Sequence, residues 1–90
     1  MTDRFDARRK RALFRSVRRG TKESDALLGG FAASRLAALS DAQLGRLEAL
    51  LDCNDADILG WVAGTRAPPP EHDHDVMAML VAFNRGRPLP

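Results

Sequence analysis

The chain has one cysteine, one tryptophan, no tyrosine, and no apolar run near the roughly 18–20 residues needed to span a bilayer. With Cys53 alone, an internal disulfide cannot form, which excludes a small secreted scaffold held by bridges. Few aromatics means few platforms on which bases could stack, and only Phe5 and Phe14 lie near the arginines. Alternating runs of β-branched residues are missing, so strands have no support. There is also no Gly-rich phosphate loop, no serine elbow and no paired-carboxylate spacing. An enzyme is not expected.

What is present suits a small globular chain. Of its 90 residues, 44% are hydrophobic and 29% charged, close to the soluble average. This is enough for one domain, with a core over about 8–84 and flexible termini. The net charge of +2 hides an asymmetry. Residues 1–22 hold nine Lys or Arg against Asp3 and Asp6, whereas residues 23–90 hold five basic and ten acidic residues. A cationic end on an acidic body favours an acidic partner, either nucleic acid or protein. The arginine-rich start invites comparison with a transit peptide, but Asp3 and Asp6 count against it and no secretory h-region is present. A bacterial-type cytoplasmic protein is the simplest reading.

Apolar residues three and four apart predict an all-α bundle of five short helices. The first covers about Asp6 to Arg18, with Leu13, Phe14 and Val17 as its buried stripe. The second follows Gly20 and turns Leu27, Leu28, Phe31, Ala32 and Leu36 inward. Gly29 and Gly30 within it imply either close packing or a kink. Ser40 and Gln43 form a capping box ahead of Leu44, Leu47, Leu50 and Leu51. Asn54 or Asp55 caps a fourth helix bearing Ile58, Trp61 and Val62, which Gly64 ends. Pro68-Pro69-Pro70 makes an extended connector. The fifth helix starts near Asp73, buries Val76, Met79, Leu80 and Phe83, and stops at Gly86 and Pro88.

Four features have residue types suited to chemistry or binding. Arg18-Arg19-Gly20-Thr21-Lys22-Glu23 joins a basic segment to a helix start, and Gly20 allows a sharp turn and close approach to the backbone. Glu23 is placed to reach back to the free first-turn amides, where its loss would cost about 0.5–2 kcal/mol. Glu71-His72-Asp73-His74-Asp75 holds metal-ligand types. Residues i and i+2 of a helix diverge, however, and acidic residues there suit a helix start. Cys53 lies among Asp52, Asn54 and Asp55, which raise a thiol's pKa, so it reads as a junction residue rather than a nucleophile. Arg8, Arg9, Lys10 and Arg11 could contact phosphates or simply form a solvated helix face.

Arg19-Gly20-Thr21-Lys22-Glu23, with Asp25 to Ala32 after it, resembles the signature of the succinate dehydrogenase FAD assembly factors, the flavinators. Leu50 to Gly64 is similar to a second block of that family, with Asp55-Ala56-Asp57 ahead of Ile58 and Trp61. Leu13-Phe14-Arg15-Ser16 resembles its lead-in. The likeness covers about residues 8–83. Ala56, Ser24 and the long proline run depart from the family pattern outside the signature. The resemblance implies a five-helix assembly factor that is not an enzyme and carries no cofactor, and the chain by itself reads as competent to act as a monomer. Its partner would be the flavoprotein subunit of succinate dehydrogenase, with that of fumarate reductase as a second candidate. It would promote covalent attachment of FAD, carried by that partner, to a partner histidine. Arg19, Gly20 and Glu23 would form the contact core, together with Thr21, while Arg15, Arg18 and Lys22 steer association. A basic helical nucleic-acid-binding domain is the alternative.

Overall fold

The structure is a computed structural model that describes residues 4–86, with side chains from residue 7. The expected flexible ends and the stop at Pro88 fall outside the described residues. Among the described residues there are five α-helices and no strand: α1 (Arg4–Ser16), α2 (Lys22–Arg35), α3 (Asp41–Leu51), α4 (Asp55–Ala63) and α5 (Asp75–Gly86). Short 3-10 turns at Leu36–Ala38 and Pro70–His72 complete the path. No helix is long and apolar enough to cross a membrane.

The helix starts follow from side chains that satisfy first-turn amides. Ser40 and Gln43 exchange both bonds of a capping box, at 3.1 and 2.9 Å. Asn54, rather than Asp55, caps α4, its Oδ1 accepting from Asp57 N–H at 2.9 Å. At α5 the start lies two residues beyond Asp73. His74 Nδ1 accepts from Met77 N–H at 3.1 Å and the His74 carbonyl accepts from Ala78 N–H.

The core gathers Leu27, Leu28 and Phe31 of α2, Leu44, Leu47 and Leu50 of α3, Ile58 of α4, and Val76 and Leu80 of α5, all essentially inaccessible. Two expected faces are corrected. In α1 the buried residues are Ala12 and Ser16, while Leu13, Phe14 and Val17 are 37%, 56% and 42% exposed. Small residues four apart let α1 lie close on α2 and α3, and the large apolar side chains then project beyond the contact. Ser16 Oγ is satisfied within the helix, donating to the Ala12 carbonyl at 2.7 Å. In α5, Met77 is buried beside Val76 and Leu80, whereas Met79 and Phe83 are only partly buried.

The adjacent glycines of α2 serve close packing. A Cβ on Gly29 would stand 3.0 Å from Val17 Cγ1 and 3.6 Å from the Ser16 carbonyl oxygen, and one on Gly30 would stand 3.3 Å from the Phe83 ring. Phe83 in turn meets Phe31 edge-on at 5.8 Å. Trp61 is half-buried rather than core, stacked on the His72 ring at 5.5 Å.

Candidate functional site

Val17 to Thr21 forms the turn between α1 and α2, and its geometry divides the signature residues into two sets. Arg19 points inward, its side chain 11% exposed. Its Nε donates to Asp55 Oδ1 at 2.7 Å, its Nη1 to the Leu51 carbonyl at 2.6 Å and its Nη2 to the Cys53 carbonyl at 2.6 Å. One planar fork thus joins the last carbonyls of α3 to the first turn of α4. Cations at a helix C-terminus and anions at an N-terminus are both favourable, and this pair supplies one of each.

The α2 start is built from its neighbours. Thr21 is the cap, its Oγ1 accepting from Ser24 N–H at 3.2 Å. Asp25 Oδ1 accepts from the Arg19 and Gly20 amides at 2.6 and 3.2 Å. The expected capping role of Glu23 is therefore corrected. Thr21 at the cap puts Glu23 at the second helical position, and Asp25 takes the amides. Glu23 is exposed and, among the described residues, makes no hydrogen bond or ion pair. Gly20 has φ +109° with open space around its Cα, and Lys22 is exposed beside it.

Arg18 lies over the Phe14 ring, 4.2 Å from its centroid, continuing the exposed apolar stripe of α1 into the turn. A shallow depression beside it is lined by Arg18, Arg19, Asn54 and Asp55. Arg15 pairs with Asp52 at 2.5 Å on the surface, where such a pair contributes little stability. The outward set is thus Gly20, Lys22, Glu23 and Arg18, next to Leu13, Phe14 and Val17. That last part was not legible beforehand, because a stripe at helical spacing reads as core whichever face the helix packs.

Much of the basic first helix is engaged within the fold. Arg8 donates to Asp41 at 2.5 Å and to Glu48 at 2.6 Å, tying α1 to α3. Arg9 donates to the Leu36 and Leu39 carbonyls at 2.6 and 2.7 Å. Two of the four residues offered for phosphate contact thus have partners within the fold, while Lys10 and Arg11 are exposed.

The other clusters bring Cys53 and the two histidines together. Cys53 Sγ lies 3.3 Å from His72 Nε2, a contact between distant residues that the sequence did not disclose. Burial pushes the thiol's pKa up, and Asp57 and Asp52 push it further, so the reactive thiolate is disfavoured. The His72 and His74 rings meet edge-on at 6.2 Å. Among the described residues no three His, Cys, Asp or Glu side chains converge to hold a metal ion.

Residues 10–84 match the family described as "Flavinator of succinate dehydrogenase". A succinate dehydrogenase assembly factor 2-B from Drosophila persimilis is 38% identical over 78 residues, covering 84% of this chain and 50% of that protein. Succinate dehydrogenase assembly factor 2 from Danio rerio is 36% identical over 87 residues, covering 94% of this chain and 55% of that protein. The chain thus spans about half the length of these curated relatives. Both are named mitochondrial, as is the Drosophila willistoni relative at 36% identity, and this overturns the expected bacterial cytoplasmic location. Asp3 and Asp6 argue only about the peptide that contains them and have no bearing on compartment. By the match over residues 10–84 and by these identities, the chain belongs to the family of succinate dehydrogenase flavinators.

Proposed function

We propose that this chain binds the flavoprotein subunit of succinate dehydrogenase before assembly and promotes covalent attachment of FAD to a histidine of that subunit. The flavoprotein of fumarate reductase is the second candidate client. The observation that carries this reading is the exposed, unpaired state of Glu23 and Lys22 around an open Gly20, at the edge of an exposed apolar stripe. Surface groups without internal partners are available to another protein at no cost in fold stability. Gly20 lets that protein approach the backbone. Leu13, Phe14 and Val17 supply apolar area, while Arg15, Arg18 and Lys22 favour encounter with an acidic surface. Within the signature, Arg19 and Thr21 act through their hydrogen bonds within the chain by shaping the turn.

The chain acts as a monomer, holds no FAD and supplies no catalytic group in this proposal. It binds the partner conformation in which histidine and flavin are aligned, so its binding energy shifts that population and holds the reacting groups in place. Titrating the purified flavoprotein subunit with this chain should give saturable one-to-one binding. Glu23→Ala should weaken it about tenfold or more, the loss expected when a charged group of the partner is left unpaired. Its melting temperature should stay near that of the wild type. A wild-type chain with no affinity for the flavoprotein would remove this reading.

A further inference from the structure

We propose that Asp55, on the first turn of α4, is the positioning residue for the docking turn, and that Ser24 is its second anchor. This rests on the docking reading above and names what sets its geometry. The two carboxylate oxygens of Asp55 hold the two sides of the turn. Oδ1 accepts from Arg19 Nε at 2.7 Å, just before Gly20. Oδ2 accepts from Ser24 Oγ at 3.0 Å, just after it. The Asp55 side chain is 18% exposed and Ser24 is fully buried, so water competes poorly for either bond.

The turn needs such an anchor. Gly20 sits at φ +109° with no atom within 4 Å of where a Cβ would be, so side-chain packing does not hold it. Glycine has the widest backbone freedom of any residue. Asp25 fixes two amides from within α2 itself, but it does not tie the turn to the rest of the bundle. Asp55 does so across 36 and 31 residues of chain, linking both sides of the turn to the α3–α4 corner, where the Leu51 and Cys53 carbonyls hold the Arg19 side alone. Arg18, Lys22 and Glu23 are thereby displayed in one arrangement, although among the described residues none of them hydrogen-bonds or ion-pairs with Asp55.

Loss of this anchor should lower the fraction of chains whose turn is ready to bind, raising the apparent Kd by the inverse of that fraction. The test compares Asp55→Ala, Asp55→Asn, Ser24→Ala and Asp55→Glu with the wild type, at a temperature where each is folded by circular dichroism. Two readouts are needed. In the free chain, amide exchange at residues 18–22 should quicken about tenfold or more in Asp55→Asn, with α1 and α3 amides unchanged. With the flavoprotein subunit, Kd should rise about tenfold in the same variant while its dependence on salt stays as in the wild type, because every steering cation remains. Asp55→Glu, which keeps the carboxylate, should recover part of the affinity. If Asp55→Ala fails to fold, Asp55→Asn and Ser24→Ala carry the test.

Unchanged turn exchange in folded Asp55→Asn would overturn the proposal, as would a Kd within twofold of wild type. Should the wild-type chain not bind the flavoprotein, the docking reading falls, while the exchange experiment still decides whether Asp55 holds the turn.

Discussion

Gly20 combines a left-handed backbone with open surroundings, and this separates two costs that a substitution would otherwise mix. Any L side chain at φ +109° carries strain of about 1–3 kcal/mol, and its Cβ meets no atom within 4 Å. Gly20→Ala and Gly20→Arg should therefore lose similar stability in urea denaturation. Binding should distinguish them, with arginine abolishing it through bulk and alanine weakening it modestly. Equal loss of binding in both variants would show that Gly20 matters for backbone shape alone. Arg19 teaches the opposite lesson. An arginine beside a glycine in a basic segment reads as surface, and only the fold brings Leu51, Cys53 and Asp55 to its three nitrogens. Sequence proximity marked the right turn, but the direction of each side chain depends on partners 32–36 residues away.

Among the elements, some starts and stops were legible where a local side chain makes them, whereas the Thr21 cap of α2 and the His74 cap of α5 were not. Ser40, Asn54 and Gly64 act within a few residues of themselves, so spacing was enough. The buried face of α1 was not legible. Ala12 and Ser16 give a weaker apolar signal than Leu13, Phe14 and Val17, yet their small size allows the closer contact. At α5 the cap is a histidine, and this makes the element sensitive to pH. His74 Nδ1 must be unprotonated to accept from Met77 N–H. Burial lowers the His74 pKa below its ordinary 6.5, opposed by Asp75 and helped by His72 and Arg46. The unfolded chain therefore takes up this proton more readily. The stabilisation is complete above the ordinary value and is lost as pH falls through the lower folded value. Melting temperature should drop as pH falls below the ordinary histidine value of 6.5, and His74→Asn, which caps without titrating, should flatten that drop. A parallel drop in the variant would place the effect elsewhere. Asp75, held low by the Gln43 side chain and by Arg46, adds a separate loss at more acidic pH.

At the scale of the molecule, the cationic end divides between internal and outward work. Arg8 and Arg19 brace α1 and its turn against α3 and α4 and Arg9 ties α1 to the Leu36 and Leu39 carbonyls, whereas Lys10, Arg11, Arg18 and Lys22 stay exposed. A charge count cannot make this division, because acceptors on other helices decide it. The all-α class was legible because helical periodicity is a local signal. Compartment was not, since no residue pattern in the described bundle reports it. The same exposed face joins the fold to the proposed role, and the proposal assigns it no catalytic group. Its effect must be read on the partner. The most direct measurement is covalent flavin fluorescence of the succinate dehydrogenase flavoprotein in a denaturing gel, from cells lacking this gene and from cells complemented with wild type or Glu23→Ala. The account predicts a flavoprotein band without fluorescence in the deletion, restored by wild type and not by Glu23→Ala. Full fluorescence in the deletion would contradict it.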